Sequence, residues 1–376
     1  MARFKPKTLL ALGVMCCAVI YLSLGVVNHY LHFTDIVDHQ AKQLKILSSI
    51  ENITKQIAVR NVTSKAVSTM GKSSLFTSKY LLNNPFMCSS EKNLTFIVII
   101  HTAIENFNKR LGIRQTWANP VHYKTFTMRT VFFVGRPKDK ALQSFLQSES
   151  EQHNDLVQGN FLDTYRNITY KAVMAFQWIY EFCSHAQIVL KADDDMFVNM
   201  FKLVQWRLPV LRRQPRQMMC EVVRKGRIRR KKGDKWAILP GELSGRTAYP
   251  TYCRGYLVLI TPDLIKLVLN KVSSTPFFWI DDVYLYGLVP EFLNITWRNI
   301  VPLVPESTEN CWQAYSDGKN RPYLFPDGCL NIPSSEHMVN VWLTVLINLP
   351  GSSRHLLTEH TLPSWLFKPF SNTGPL

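Results

Sequence analysis

The stretch that most restricts the architecture is 163–199, where a segment of helical period runs directly into a short apolar strand ending on three consecutive carboxylates. In DTYRNITYKAVMAFQWIYEFC (163–183) apolar side chains recur at Tyr165, Ile168, Ala172, Phe176, Ile179 and Cys183, with Asp163 or Thr164 suited to cap the start. QIVLKADDDMFVN (187–199) then alternates from a β-type run into Asp193, Asp194 and Asp195. A helix followed by a strand with acids at its end is the expected signature of an α/β domain whose ligands lie beyond the strand ends. In an extended chain Asp193 and Asp195 share one face and Asp194 takes the other. Two carboxylates on one face can hold one hard cation, Mg2+ or Mn2+, together with a phosphate-bearing ligand. A solvated Asp-rich turn is the competing reading of the triplet.

The flanking sequence extends this pattern. Residues 95–100 (TFIVII) and 130–134 (TVFFV) read as buried strands of an interior sheet. Between them, KRLGIRQTW (109–117) puts Arg110 and Arg114 four residues apart on one face of a helix, where guanidinium forks can grip phosphate or carboxylate. From that spacing alone, an ordinary exposed basic helix is the favoured reading. YPTYCRGYLVLIT (249–261) is a Pro turn, Gly255 and a β-type run, the glycine permitting close approach to the backbone. FFWIDDVYLYG (277–287) sets Asp281 and Asp282 among aromatic residues. Adjacent carboxylates in an apolar surround push their proton affinities apart, so that one can act as a general base. Acids at a helix start, favoured by its dipole, are the alternative. A further helix is expected at 335–346, and no internal repeat is present.

Residues 8–27 (TLLALGVMCCAVIYLSLGVV) carry no charge and follow Arg3, Lys5 and Lys7. Such a run is long enough to cross a bilayer, and the basic flank predicts a cytoplasmic tail at 1–7. A signal anchor at 8–27, a lumenal stem at 28–90 and a lumenal globular domain at 91–376 follow, a type II arrangement. Acceptor tripeptides at Asn52, Asn61, Asn93, Asn167 and Asn294 agree with a lumenal location. Six lumenal cysteines, Cys88, Cys183, Cys220, Cys253, Cys311 and Cys329, are enough for three disulfides, whose pairing stays open. No CxxC spacing or His cluster suggests zinc. Residues 207–235 carry twelve Lys and Arg against Glu221 and Asp234, within a chain of formal net charge +17. Lumenal topology excludes a nucleic-acid partner. A mobile solvated loop near the site, or attraction of anionic substrates or membrane surfaces, is expected instead. Composition sets neither monomer nor homodimer.

RLGIRQTW, VFFVG, NDLVQGNFLDTYRNITYKAV, KADDDMFVN, YPTYCRGYLVLIT and IDDVYLYG occur in that order. Together they resemble the successive motifs of the β-1,3-glycosyltransferase family, which includes β-1,3-galactosyltransferases and β-1,3-N-acetylglucosaminyltransferases. The likeness covers about 93–287, weakens after Glu291 and does not include the stem. It implies a GT-A fold, a Rossmann-like α/β sandwich, in a Golgi membrane enzyme that moves a hexose from a UDP-sugar to a glycan acceptor on protein or lipid. It further implies that Asp193 and Asp195 bind nucleotide and Mn2+, with Asp195 the direct ligand and Asp194 beside them on the donor side. Asp282 becomes the catalytic base with Asp281 its neighbour, and Arg110, Arg114 and Lys171 line the donor side. Galactose is the first choice of sugar by family frequency, with N-acetylglucosamine and N-acetylgalactosamine as alternatives. One departure stands out: Asn331 occupies the position where family members often carry a metal-completing His, while His337 sits on the following helix. That keeps open a non-catalytic relative that binds glycans or assists folding. A haloacid-dehalogenase-type phosphohydrolase also places DxD after a buried strand, but Met196 stands where that class usually has Thr or Val.

Overall fold

In a computed structural model the chain divides into two units, 1–71 and 72–376, and the described residues, 80–300, 328–347, 349 and 357, all lie in the second. The expected anchor at 8–27 and nearly all of the stem, with Asn52 and Asn61, fall outside them, as does Cys311. Among the described residues no helix is long and apolar enough to cross a membrane.

The apolar run of β1 (Phe96–His101) is buried along its whole length, as a strand covered on both faces must be. It is followed by α1 (Phe107–Gln115), β2 (Met128–Arg136), α2 (Lys140–His153), β3 (Leu156–Leu162), α3 (Ile168–Phe182) and β4 (Ile188–Asp193). β1 pairs in parallel with β2 on one side and β4 on the other, and β2 pairs in parallel with β3. After β4 come a short β5 (Phe197–Val198), an irregular helix over 200–211, β6 (Gln217–Val223), β7 (Tyr252–Ile260), α4 (Asp263–Val272) and a short helix over 281–288. β8 (Thr296–Asn299) then completes a mixed seven-stranded sheet of order β3-β2-β1-β4-β7-β6-β8, in which β7 runs antiparallel to both β4 and β6. β9 (Gly328–Cys329) pairs with β5, and α5 (Ser335–Ile347) packs on α1. A Cβ on Gly112 would stand 2.9 Å from Ser335 Cα, which is why the α1 motif carries a glycine there.

Alternation along β1 and β4 sorts the interior into two cores. Phe96, Val98, Ile100, Leu190 and Ala192 join the layer containing Ile113 and Trp342, whereas Ile97, Ile99 and Val189 join the layer of Phe176, Val268 and Tyr286. Strand order reverses between β1 and β4, so their carboxyl ends frame the crevice in which open α/β sheets bind ligands.

Among the described residues, two disulfides tie the edges. Cys88 joins Cys183 just after α3, and Cys220 joins Cys253 between β6 and β7. Two sequence expectations change. The 163–183 helix begins as a 3-10 turn, Tyr165–Asn167, and becomes α-helical only at Ile168. The basic stretch 207–235 is not one solvated loop, because β6 lies inside it with Met218 and Cys220 fully buried in the sheet. Its remainder is also folded: Ile238 N donates to Arg229 O, Tyr249 N to Gly226 O, and Arg230 reaches the carbonyls of Leu239 and Glu242.

Candidate active site

Period-2 geometry sets up the crevice. His101, the last residue of β1, is the parallel partner of Asp193, the last of β4, so both fall on the α3 side of the sheet with Lys191. Lys191 is 1% exposed, and its ammonium lies 2.5 Å from Asp193 Oδ1 and donates to the carbonyl of Gly255. Burial alone would lower this lysine's proton affinity, but the charges of Asp193, Asp281 and Asp282 outweigh it and raise it. Asp281 and Asp282 open the short helix across the crevice, its first turn Asp281–Val283 and its second a π turn, Tyr284–Leu288. π turns recur at functional sites because they re-aim side chains.

Burial raises both carboxyls of this pair. The charge of Asp282 adds to the effect on Asp281, while Lys191 opposes it on both, and a backbone contact from Gly255 lowers Asp282. The contact is close: a Cβ on Gly255 would lie 1.8 Å from Asp282 Oδ1. Gly255 is therefore required by the carboxylate it faces.

Asp193 and Asp194 take opposite sides of the sheet, as extended-chain alternation expects. Met196 N donates to Asp193 O, so the chain then turns and alternation does not extend to Asp195. Asp194 swings toward the β1–α1 connection, accepting from Thr102 Oγ1 and Asn106 Nδ2, both at 2.7 Å, and from Lys109 Nζ at 3.3 Å. Its oxygens hold that loop. Asp195 has a carboxyl pushed up to about 6, by burial first and then by the charge of Asp193. Its backbone oxygen accepts from Ile332 N, and continuing the β5–β9 register sets Asn331 opposite Asp195. Among the described residues no three His, Cys, Asp or Glu side chains form a metal-ligand group. Asp193 and Asp195 are the carboxylates that can receive a hard cation, and the amide oxygen of Asn331 is of a type such ions accept. His337 turns instead to Ser334 Oγ, 2.7 Å away.

The remaining expected donor-side residues separate. Lys171 reaches the crevice floor, donating to Thr102 O at 2.6 Å and to Asp163 at 3.0 Å. Asp163 also accepts from Gly135 N, so its carboxylate pins α3 to the end of β2 and does not cap a helix. Arg110 and Arg114 stay apart from the acidic cluster. Arg110 is 0% exposed and divides its donors among Glu149, Thr102 Oγ1 and the carbonyls of Ala103 and Ile104. Arg114 makes a fork to Asp155 and a bond to Glu149. Four apart on one face was the right placement, but the guanidiniums grip carboxylates of this chain. Sequence reasoning passed over His101 and Lys191, which look like ordinary strand residues until the register aligns them with Asp193. The turn before α3 and the residues before Asp281 supply aromatic rings here, with Lys235 of the basic stretch 4.9 Å from the Tyr165 ring and Arg166 3.7 Å from the Trp279 ring.

The galactosyltransferase family pattern matches residues 108–300. The chain belongs to that family. It is 33% identical over 209 residues to human beta-1,3-galactosyltransferase 1, an alignment that covers 55% of this chain and 63% of the relative. It is 28% identical over 214 residues to zebrafish lactosylceramide 1,3-N-acetyl-beta-D-glucosaminyltransferase A, covering 55% and 56%, and 29% identical over 227 residues to the human lactosylceramide enzyme, covering 57% and 60%. The chain thus spans under two thirds of the length of these curated relatives. The family match contains the β4 triplet, Gly255 and the Asp281–Asp282 pair, so every carboxylate of the crevice lies within it.

Proposed function

We propose that this protein is an inverting β-1,3-glycosyltransferase of GT-A type that moves a hexose, galactose in the first instance, from a UDP-sugar to a hydroxyl of a glycan on protein or lipid. The observation that carries the reading is the half-buried Asp281–Asp282 pair, with Asp282 held against Gly255 and the pair facing the strand-end acid of β4, in a member of the galactosyltransferase family. Asp282 is the base. Burial raises its proton affinity above that of an ordinary carboxylate, which suits it to take a proton from an attacking hydroxyl near neutral pH. A backbone bond from Gly255 holds that carboxylate, and Lys191, which donates to the Gly255 carbonyl, balances part of the negative charge around it.

Asp193 and Asp195, with Asn331, are the residues to hold Mn2+. When bound, the ion supplies Lewis-acid stabilisation to the departing diphosphate. Mutual repulsion of Asp193 and Asp195 is the feature of this chain that a cation relieves. Asp194 and Lys171 shape the donor side by fixing the loop after β1. Attack from the face opposite the leaving group inverts the anomeric centre and needs no covalent nucleophile. N-acetylglucosamine is the second donor to test, because two of the relatives carry that sugar's transfer in their names. The run 8–27 with its basic flank supports a type II membrane arrangement with a lumenal catalytic domain, and the family likeness supports a Golgi location.

Asp282→Asn tests the reading. It keeps the size of the side chain and removes the base, so kcat should fall by about 10²–10⁴ with UDP affinity unchanged. Transfer at the wild-type rate would overturn the assignment.

A further inference from the structure

His101 is a buried polar side chain with nothing to bind. It is 7% exposed, and neither ring nitrogen has a hydrogen-bond partner among the described residues. An unsatisfied buried donor or acceptor costs about 1–3 kcal/mol, so two on one ring call for a partner that arrives with ligand or solvent. Asp281 Oδ2 lies 3.9 Å from His101 Nδ1, beyond hydrogen-bond reach. A single oxygen about 2.8 Å from each atom would span that distance.

We propose that this oxygen is a hydroxyl of the hexose in the bound nucleotide-sugar, and that His101 with Asp281 is the pair that reads the donor sugar. The inference rests on the glycosyl-transfer reading above and adds a specificity-determining residue to it. Position supports it: His101 ends β1 in register with Asp193, on the same face as Lys191, at the mouth of the crevice between β1 and β4. Chemistry supports it as well. Burial first, and then the charges of Lys191 and Lys171, hold the imidazole neutral, so the ring presents one N–H donor and one bare nitrogen acceptor. That pattern complements a hydroxyl, which both gives and accepts a hydrogen bond. Diphosphate calls for cations, which the neutral ring does not supply. A buried Tyr286 hydroxyl, likewise without a partner, lies on the same short helix as Asp281 and adds polar lining. A site built to bond a sugar hydroxyl rejects ligands that lack it, because its own polar groups are then left unpaired.

The test compares binding of UDP with binding of UDP-galactose and UDP-N-acetylglucosamine, by calorimetry with Mn2+, to the full chain in detergent. His101→Phe keeps a planar ring without nitrogens, and His101→Met removes both nitrogens with a flexible side chain should the phenylalanine variant not fold. His101→Gln restores a donor and an acceptor. The apolar variants should bind UDP within twofold of wild type but lose about five- to tenfold in affinity for the preferred UDP-sugar, with glutamine recovering part of the loss. Equal loss for UDP and UDP-sugar, or no loss for either in a folded variant, overturns the inference and points to packing or a trapped water. A wild type that binds UDP with no gain from any sugar also overturns it while leaving the nucleotide site standing. Failure of wild type to bind UDP defeats the glycosyl-transfer reading itself.

Discussion

Replacing Gly255 by alanine should disable the proposed transfer without unfolding the protein. The added Cβ would stand 1.8 Å from Asp282 Oδ1 and 2.8 Å from its Cγ. Ordinary contact begins near 3.4 Å, so the carboxylate must retreat by about 1.6 Å. The residue's φ is outside the left-handed region, so backbone strain plays no part. Asp282 sits on the first turn of a short helix, where a side-chain rotation is the cheapest way to yield. A displacement of about 1 Å at a reacting group can cost about 10² in rate, so kcat should fall by at least that factor. UDP affinity should hold, because the acids of β4 are untouched. The assay is steady-state transfer in wild type, Gly255→Ala, Asp282→Asn and the double variant. If both substitutions act through the same carboxylate, adding Gly255→Ala to Asp282→Asn should change kcat less than threefold. A folded Gly255→Ala protein with near-normal kcat, or losses that multiply in the double variant, would refute this reasoning.

Other expectations follow from the same geometry. Arg110→Ala leaves Glu149 buried with half its partners, so the unfolding free energy should drop by about 3–5 kcal/mol in denaturant titration while UDP affinity of the folded fraction stays constant; a tenfold loss of UDP affinity would return Arg110 to the donor site. Asp195 is raised from 3.8 to about 6, so its contribution to stability is full below about pH 4 and is lost as pH rises through about 6. Wild-type stability relative to Asp195→Asn should therefore fall by about 3 kcal/mol between pH 4 and pH 7 without metal, and saturating Mn2+ should reverse the trend; a flat difference would remove the electrostatic case for a cation there. Opening the Cys220–Cys253 bridge, which spans 33 residues, with the double serine variant should cost about 3–4 kcal/mol in thermal or denaturant unfolding.

Much of this site was legible in the sequence because local patterns carried it. Apolar continuity announced β1 and β2, and the helix-to-strand passage at 163–199 placed the acids at a strand end. What escaped depended on distant partners. Nothing near Arg110 and Arg114 in the chain says that Glu149 and Asp155 will meet them, so free cations and buried ion pairs look alike until α2 is packed. The alternation rule assigned Asp193 to the Lys191 face and Asp194 to the opposite, α1 side, and it says nothing of Asp195 because a turn bond from Met196 N ends the strand. His101 required the β1–β4 register, a property of two strands. Charge density hid β6, whose apolar core QMMC sits between arginines that belong to its ends.

The most direct test of the central claim is the product itself. Full-length protein with Mn2+ should transfer one hexose from a panel of UDP-sugars to galactoside or N-acetylhexosaminide acceptors, and nuclear magnetic resonance of the product should show a new β-linked residue at the 3-hydroxyl. That activity should vanish on chelation and in Asp282→Asn. An α-linked product, or a β-1,3 product formed equally well by Asp282→Asn, would contradict the assignment of Asp282 as the base of an inverting transfer.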